Sequence, residues 1–326
     1  MEEKISRRIA LIGMPRSGTT WTAKAIDSQS RVYYLHEPDS TRRMSIPHVV
    51  TDDEVHAYTA AQEQYLSTID SVRNLKSVGR LPFFPKSFQY GWQTRLNSMT
   101  IAAFKIASKV SGHVADLNVP ILDRPKESRV LFWKSIESCA RLNVLAEAAP
   151  DDRFVFLMRH PCGIANSVLR GIKQNRFSSA VPIYENIGVF EQLLKIDTAK
   201  ELQLTLTDIE KMSIAQRLGI RWLLYCEKAV RDIERYDNIT LSVYENVCQN
   251  PLVEFERMRN FFELEKSNTI ERYVSETTGS HDRGFYSIRK DPSVSAEKWR
   301  RELQPEFIKE IETVIKGSDS AAVFGI

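Results

Sequence analysis

The segment "GMPRSGTTW", residues 13–21, combines residue types that bind phosphate. Gly13 and Gly18 are spaced as in the pattern G-x-x-x-x-G-K-[ST], which wraps a chain of phosphates. In that pattern the lysine contacts the terminal phosphates and the following hydroxyl binds magnesium. Here Thr19 stands at the lysine position, and Arg16 is the only cation in the segment. The segment therefore predicts an anion site that is not built for ATP.

The predicted helix after this loop adds to the anion site. A helix N-terminus presents N–H groups and a partial positive charge, so it binds an anion without help from side chains. Ser17 and Gly18 are small enough for a close approach of the backbone, and Thr19 and Thr20 can add hydroxyl donors. Arg16 adds a permanent charge and a planar fork of donors. This set suits a single compact anion such as a 5′-phosphosulfate; the alternative is a tight turn that binds nothing.

A second candidate site lies in "LMRHPCGIANSVL", residues 157–169. Arg159 follows the end of a predicted strand, where ligands gather in open α/β sheets. Ser167 comes eight residues later, inside the next predicted helix. The two side chains could converge on a second phosphate, the arginine by charge and the serine by its hydroxyl. A capped strand end that binds no ligand is the alternative interpretation.

Short apolar runs alternate with amphipathic segments along much of the chain. Strands are predicted in "RRIALIG", "RVYYLHEPD", "RVLFWKS", "RFVFLMRHP" and "ITLSVYENV". Helices are predicted in "SGTTWTAKAIDSQS", "CARLNVLAEAAP", "CGIANSVLRGIK", "SIAQRLGIRWLLYCEKAVRDIERY", "PLVEFERMRNFFEL" and the C-terminal "AEKWRRELQPEFIKEIETVIKG". In the longest of these, Leu218, Trp222, Tyr225 and Ala229 share one face. We predict an α/β fold of the P-loop type, with three αβα layers around a parallel sheet.

Residues 39–128 interrupt this alternation after the second strand. Two helical segments, "DDEVHAYTAAQEQYLSTIDSV" and "MTIAAFKIASKVSGHV", flank the aromatic stretch "GRLPFFPKSFQYGW". A long insertion between core strands often forms a substrate-facing lobe, and its aromatic part could stack on a sugar. Surface loops that fold over their own apolar side chains are the alternative. We treat residues 1–326 as one domain with a largely helical, acceptor-side insertion.

Composition narrows the class of protein. The chain has 326 residues, a formal net charge of +3 and four cysteines. The charge is too small to indicate nucleic acid as a partner, and the cysteines lack the spacing of a zinc site or a disulfide framework. The apolar run near the N-terminus has the length of a strand, so neither a signal peptide nor a transmembrane helix is expected. We expect a soluble, cytoplasmic protein.

The two motifs resemble those of a known family. "GMPRSGTTW" is similar to the 5′-phosphosulfate loop of sulfotransferases, and "RHPCGIANS" is similar to their 3′-phosphate motif. "RWLLYCEKA" and "ITLSVYENVCQNPLVEFERMRNFFEL" resemble the family's tryptophan-containing helix and the strand and helix that follow it. The likeness covers residues 9–38 and about 130–264 and leaves the insertion out. Carbohydrate-type and bacterial members are the most similar.

This resemblance implies a donor, 3′-phosphoadenosine 5′-phosphosulfate (PAPS), with adenosine 3′,5′-bisphosphate (PAP) as product. PAPS has no β,γ-phosphate chain, so a lysine at position 19 and a metal ion would have nothing to hold. The residues implied for the donor are Arg16, Ser17, Gly18, Thr19, Thr20 and Trp21 at the 5′ side, and Arg159, Ser167, Arg289 and Lys290 at the 3′-phosphate. The last two stand in "RKDP", where the family has R-K-G.

Sulfuryl transfer requires an aligned acceptor oxygen, a base and neutralisation of charge on the leaving phosphate. Arg16 is the candidate for charge neutralisation, and Lys134 in "FWKS" could add a second cation. Glu37 in "LHEPD" is favoured as base because the carbohydrate-type and bacterial relatives carry a Glu-Pro there, and it needs a raised pKa or a short hydrogen bond to serve. His36 is the alternative, since adjacent strand residues point to opposite faces. His160 is expected to be a packed or capping residue.

The sequence thus predicts an enzyme that sulfates a hydroxyl, on a carbohydrate, a glycolipid or another hydroxyl-bearing small molecule. A lipid-linked acceptor at a membrane surface and a homodimer are both compatible with it. A P-loop kinase would need a lysine at position 19 and a magnesium-binding aspartate, and neither is evident. A noncatalytic relative that binds an adenosine bisphosphate is the remaining alternative.

Overall fold

The computed structural model describes residues 5–124, 129–175, 181–278 and 296–326. Its five strands are β1 (Ile5–Ile12), β2 (Val32–His36), β3 (Arg129–Ser135), β4 (Arg153–Met158) and β5 (Ile239–Val243). They form one parallel sheet in the order β2-β3-β1-β4-β5. The predicted parallel α/β architecture is confirmed. The first two strands are not neighbours, however, because β3 lies between them.

Helices cover both faces of the sheet. Within the described ranges they are α1 (Thr19–Asp27), α2 (Pro38–Thr41), α3 (Val55–Ser67), α4 (Leu75–Val78), α5 (Gly91–Val110), α6 (Leu142–Ala148), α7 (Pro161–Lys173), α8 (Ile187–Leu193), α9 (Asp197–Glu201), α10 (Leu206–Lys211), α11 (Ile214–Arg235), α12 (Tyr244–Gln249), α13 (Pro251–Phe261), α14 (Thr269–Thr278), α15 (Trp299–Glu302), α16 (Pro305–Ile315) and α17 (Asp319–Ala322). Single 3-10 turns lie at Asp52–Glu54, Ile69–Ser71 and Gly112–Asp116. None of the helices in these ranges is both long and apolar enough to cross a lipid bilayer.

The side chains of β1 show how the layers form. Successive residues of a strand point to opposite faces of a sheet. Ala10 and Ile12 are buried in a cluster with residues of α6, α7 and α11, whereas Ile9 and Leu11 are buried with residues of α1, α12 and α13. An apolar run without alternation is therefore what a central strand with two covered faces requires.

The register brings the predicted site residues to one edge. Ile12 pairs with Ser135 of β3 and with Phe156 of β4, and His36 pairs with Lys134. The carboxyl ends of β1 to β4 therefore lie side by side. The chain segments that follow these ends form the crevice where ligands bind in open parallel sheets.

The long helix α11 agrees with its predicted pattern. Leu218, Trp222, Tyr225 and Ala229 are all buried. Ser213 caps its N-terminus by accepting a hydrogen bond from the N–H of Gln216, whose side chain in turn accepts from the N–H of Ser213. The helix lies close to α7 and β5, so it supports the edge of the sheet that carries Arg159.

The helical insertion after β2 is present, with boundaries that differ from the prediction. The helix expected from residue 99 begins at Gly91, so α5 takes up the end of the aromatic stretch. Its start is stabilised locally, because the Gln93 side chain accepts a hydrogen bond of 2.8 Å from the N–H of Tyr90. The helices α8 to α10, in a part of the chain without a predicted element, also appear.

The strand prediction in "ITLSVYENV" is wrong in its second half. β5 ends at Val243, and residues from Tyr244 onward form α12. Tyr244, Val247 and Cys248 are buried at helical spacing, so the burial pattern of these residues is that of a helix. This early end of the strand places the Tyr244 ring under the loop after β1.

Candidate active site at the carboxyl ends of the strands

The loop between β1 and α1 has an unusual backbone. Arg16 and Gly18 have φ angles of 75° and 90°, in the left-handed region that glycine adopts readily and other residues rarely. A Cβ atom on Gly18 would lie 2.1 Å from the Tyr244 ring, so no side chain fits there. The N–H of Ser17 donates to the carbonyl of Met14 at 3.1 Å and closes the turn. Within the described part of the chain, no side chain caps the N-terminus of α1.

Ser17 carries the most informative polar atom of this loop. Its Oγ is buried and has no hydrogen-bond partner among the residues that the structure describes. Buried hydroxyls are nearly always paired, so a ligand group at this position is the natural partner. Thr19 is buried and Thr20 half-buried in the first turn of α1. The unpartnered hydroxyl and the helix N-terminus together form an arrangement of the kind that can bind an anion.

The two phosphate motifs come together. The Nε of Arg16 donates to the Oγ of Ser167 at 2.9 Å, and Nη1 of Arg159 donates to the carbonyl of Arg16 at 2.8 Å. The Nε1 of Trp222 donates to the Arg159 carbonyl at 2.8 Å and so fixes the backbone at Arg159. Arg159 and Ser167, which belong to the second motif, therefore lie beside the loop between β1 and α1.

Tyr244 is a site residue that sequence reasoning did not single out. The Arg159 guanidinium carbon lies 4.6 Å from the centroid of its ring, and ring atoms of Tyr244 also exclude a side chain at Gly18. The neighbouring Glu245 accepts a hydrogen bond from the N–H of His160 at 3.2 Å. The "YE" pair in the quoted family likeness was the available signal.

His160 has the structural role that was expected. Its Nδ1 accepts a hydrogen bond from the N–H of Cys162 and so caps α7. Its ring stacks on Trp299, with centroids 4.3 Å apart. Burial, with the nearby charges of Arg300 and Arg159, lowers the pKa of His160 to about 3, so the ring is neutral.

Trp21 is packed inside the protein at the start of α1. Its ring centroid lies 5.6 Å from that of Phe255, and its Nε1 donates to the Oγ1 of Thr277 at 3.1 Å. Thr277 belongs to α14, the helix that precedes residues 279–295. Trp21 therefore connects α1 to α14. The predicted Arg289 and Lys290 lie outside the described part of the chain.

Glu37 and Lys134 form a buried ion pair at the ends of β2 and β3. The Lys134 Nζ donates to Oε1 of Glu37, and the Nζ of Lys76 in α4 lies 3.0 Å from Oε2. Burial favours the neutral acid, but the charge of Lys134 and its hydrogen bond, together with the charge of Lys76, outweigh burial and lower the pKa of Glu37 to about 2. Burial also lowers the pKa of Lys134. The raised pKa considered for Glu37 as a base is thus absent in this arrangement.

Strand alternation predicted that His36 and Glu37 point to opposite faces of the sheet. In the structure their side chains lie close together. β2 ends at His36, and Glu37 has a left-handed backbone with φ 48°. The His36 Nε2 consequently lies 3.7 Å from Oε1 of Glu37, while its Nδ1 is 2.8 Å from the hydroxyl of Tyr34. Burial, with the Lys134 charge next, lowers the pKa of His36 to about 2. The imidazole is therefore neutral beside the carboxylate.

Comparison with known proteins identifies the family. The model of the sulfotransferase family matches residues 8–268, which include both motifs and the insertion. This chain belongs to the sulfotransferase family. A search of curated proteins finds no matching sequence.

Three solved structures show some similarity to this chain, each with a TM-score below 0.5. The sulfotransferase domain of the Synechococcus PCC 7002 olefin synthase has a TM-score of 0.45 and 13% identity, with 96% of this chain and 95% of that chain covered. Mouse sulfotransferase SULT7A1, solved in complex with PAP, has a TM-score of 0.43 and 10% identity over 98% and 89% of the two chains. STF9 from Mycobacterium avium has a TM-score of 0.40 and 13% identity over 95% and 76%.

The sulfotransferase also has a cavity of about 80 Å³ between β2, α1 and the insertion. Its aromatic lining consists of Tyr33, Tyr34, Phe83, Phe84 and Phe88. Tyr34 connects the cavity to the ion pair, because its hydroxyl contacts His36. The His36 side chain therefore lies between Tyr34, which lines the cavity, and Glu37.

The charged groups of this cavity are predominantly cationic. Lys24 and Lys86 share one carboxylate, Asp27, with Lys86 Nζ 2.8 Å from Oδ1. Arg80, which is half-buried, also lines the cavity, and no side chain in the described ranges pairs with its guanidinium. Its charge lowers the pKa values of both Lys134 and His36. Lys76 and Arg80 come from the insertion, in a stretch without a recognisable pattern, so sequence reasoning missed them.

Proposed function

We propose that this sulfotransferase transfers the sulfuryl group of PAPS to a hydroxyl of a carbohydrate or glycolipid. The observation that carries the proposal is the buried Ser17 hydroxyl, which has no hydrogen-bond partner in the described chain. It lies next to the N-terminus of α1, which no described side chain caps. When bound, the donor supplies a sulfuryl group activated by a phosphate leaving group. Gly18 has no side chain and the Tyr244 ring admits none, so no Cβ at this position hinders the approach of such a group to the backbone of the loop.

The donor would be held by the two motifs that meet at Arg16. We infer that residues 17–20 and the N-terminus of α1 bind the 5′-phosphosulfate, while Arg159 and Ser167 bind the 3′-phosphate. The contact between Arg16 Nε and Ser167 Oγ supports one continuous anion site across both motifs. Trp21 closes the site from the core side, and Arg289 and Lys290 remain proposed ligands of the 3′-phosphate.

For the transfer itself, Glu37 would accept the proton of the acceptor hydroxyl. It is ionised at neutral pH, as a base must be, but the pairing with Lys134 makes it a weak base. Any movement of the Lys134 cation toward the sulfuryl oxygens removes the main group that depresses the pKa of Glu37, so basicity and charge stabilisation rise together. Arg16 would neutralise charge on the leaving phosphate. The neutral His36 is the alternative proton acceptor.

The acceptor would bind in the cavity beside Tyr34. The rings of Phe83, Phe84 and Phe88 offer apolar faces of the kind on which sugar rings stack, and the hydroxyl of Tyr34, which also lines the cavity, contacts His36 beside Glu37. Residues 39–128 would then form the acceptor-side part of a single domain. All four cysteines are buried, and their spacing in the sequence is not that of a disulfide framework, so we propose a reducing, cytoplasmic location.

Isothermal titration with PAP and with ATP, each with and without magnesium, tests the donor site. We expect binding of PAP that does not depend on magnesium, and weak binding of ATP. Arg16→Ala and Arg159→Ala should each weaken PAP binding by about 1.5–3 kcal/mol, the scale of a charge-assisted hydrogen bond. Unchanged affinity in both variants, or a preference for ATP with magnesium, would refute the assignment.

Glu37→Gln separates catalysis from binding. The amide keeps the shape of the side chain but cannot take a proton, so we expect PAP binding to persist and sulfation of a glycan acceptor to stop. Lys173→Gln, at the end of α7 and outside the site, is the matched control and should keep both activities. Turnover by Glu37→Gln at the wild-type rate would exclude Glu37 as the base.

A further inference from the structure

One face of α5 is an apolar stripe that no part of the described chain covers. The side chains of Trp92, Met99, Ile106 and Val110 are 60%, 68%, 68% and 90% exposed, and Leu96 is 43% exposed. Together with the exposed Ala103 they follow one another at steps of four, three, four, three and four residues. At 100° per residue these six positions fall within an arc of about 80°. Such a regular exposed stripe marks an interaction surface.

The opposite face of α5 is firmly packed. Gln93, Asn97 and Ile101 are buried, and Asn97 and Ile101 line the cavity beside Tyr34. The Asn97 side chain donates to the carbonyl of Leu122 at 2.9 Å and accepts from its N–H at 2.8 Å. The stripe is therefore presented outward by a helix whose orientation is fixed by its buried side.

The charged residues of α5 itself have one sign. α5 contains Arg95, Lys105 and Lys109 and no aspartate or glutamate. At 100° per residue, Arg95 and Lys109 flank the stripe on the same side. Tyr90 and Trp92 stack at the start of the helix, with centroids 6.5 Å apart and an angle of 9° between the rings. Outside the helix, Leu81 and Leu117 of the insertion are also exposed, at 57% and 56%.

These features distinguish between two occupants. The four-three spacing would also suit a second copy of α5. In an antiparallel pair, however, Arg95 of one copy would lie near Lys109 of the other, with no acidic residue in either helix to compensate. An anionic lipid surface satisfies both the apolar stripe and its basic border, and aromatic residues at one end are typical of helices that lie in a membrane interface. We propose that α5 docks this sulfotransferase on an anionic phospholipid surface.

Docking by this face has a consequence for the acceptor. This consequence rests on the proposed function. Ile101, on the side of α5 opposite the stripe, lines the acceptor cavity. A helix about 10 Å across then separates the bilayer surface from the cavity. The geometry favours a lipid-linked saccharide, whose sugar reaches the cavity while its lipid stays in the membrane.

Sedimentation of the full chain with phospholipid vesicles tests the docking surface. We expect binding to vesicles of phosphatidylcholine mixed with phosphatidylglycerol, little binding to phosphatidylcholine alone, and weaker binding as salt is raised. Ile106→Glu and Met99→Glu should each reduce binding by about ten-fold or more, because a carboxylate cannot enter the apolar layer and is repelled by the lipid. Val253→Glu on α13, at an equal exposure of 68%, is the matched control and should bind as the wild type does.

Two further measurements make the result decisive. PAP titration of the same samples reports on the donor site. If a variant loses vesicle binding but keeps PAP binding, the defect lies in the docking surface of α5. If the protein does not bind PAP, the proposed function fails and the docking surface is not affected by that result. Light scattering after gel filtration reports the oligomeric state. Absence of vesicle binding by the wild type, or an equal effect of Val253→Glu and Ile106→Glu, would overturn the proposal. So would a dimer that Ile106→Glu converts to monomers, since a second copy would then cover the stripe.

Discussion

Replacing Gly18 with alanine should damage the loop for two separable reasons. The first is the backbone: Gly18 has a φ of 90°, and an L-residue in the left-handed region costs about 1–2 kcal/mol. The second is steric, because the new Cβ would lie 2.1 and 2.3 Å from two ring atoms of Tyr244. That ring is only 7% exposed and supports Arg159, so it has little room to move. Overpacking of this kind costs about 1–3 kcal/mol.

Together these terms predict that Gly18→Ala lowers the free energy of unfolding by about 2–5 kcal/mol. Urea unfolding followed by fluorescence measures this loss, and PAP titration should show that donor binding is weakened as well. Gly91→Ala is the matched control. Gly91 is the first residue of α5, and a methyl group added there would have no neighbouring atom within 4 Å, so this variant should be neutral or slightly stabilised.

A double-mutant cycle with Tyr244→Ala separates the two reasons. Truncation of Tyr244 alone removes a buried ring and should cost about 3–5 kcal/mol. The double variant should then be more stable than the sum of the two losses predicts, by the steric share of about 1–3 kcal/mol, because the methyl enters the space that the ring leaves. Strict additivity would refute the steric contact, and a Gly18→Ala variant as stable as Gly91→Ala would refute the reasoning altogether.

Three other outcomes can be tested. Glu37→Gln should lower the free energy of unfolding at pH 7 by about 3 kcal/mol, because the buried Lys134 loses its partner. Since the pKa of Glu37 is depressed from 4.5 to about 2, the stability that its ionised form contributes is fully present above about pH 4.5 and is lost as the pH falls through about 2. Urea titrations of wild type and variant across this pH range measure the difference. Arg80→Ala should raise the KM for an anionic glycan several-fold and leave PAP affinity unchanged. Trp222→Phe should cost about 1–3 kcal/mol, since the carbonyl of Arg159 loses its buried donor; a loss below that range in urea unfolding would contradict it.

The elements that carry the donor motifs were predictable for a physical reason. β1 and β4 are covered on both faces, so each is a short, continuous apolar run, and each ends at a residue that changes the chain direction, Gly13 or Pro161. Arg159 and Ser167 were found because a strand end and a helix start leave a clear pattern. The contact between Arg16 and Ser167 was not predictable, since it depends on the left-handed backbone at Arg16.

The acceptor side was less predictable because its residues belong to short elements. α4 has four residues, too few for a hydrophobic period, and it still supplies Lys76 to Glu37. The approach of His36 to Glu37 also depends on a left-handed residue at the end of β2, which a sequence pattern of alternating faces does not reveal. The start of α5 was missed because its first turn contains Gly91 and Trp92, which are poor helix formers, and is stabilised by a local cap.

The ion pair between Asp27 and Lys86 joins the two substrate sides mechanically. Asp27 is the last residue of α1, whose first turn forms the donor loop, and Lys86 lies in the aromatic segment that lines the acceptor cavity. A second link runs from the N–H of Ser87 to the carbonyl of Ser30 at 2.9 Å. We predict that a displacement of α1 on binding of the proposed donor is passed through these contacts to the wall of the proposed acceptor cavity. The affinities of donor and acceptor would then be interdependent, and by thermodynamic reciprocity each substrate would alter the binding of the other by the same factor.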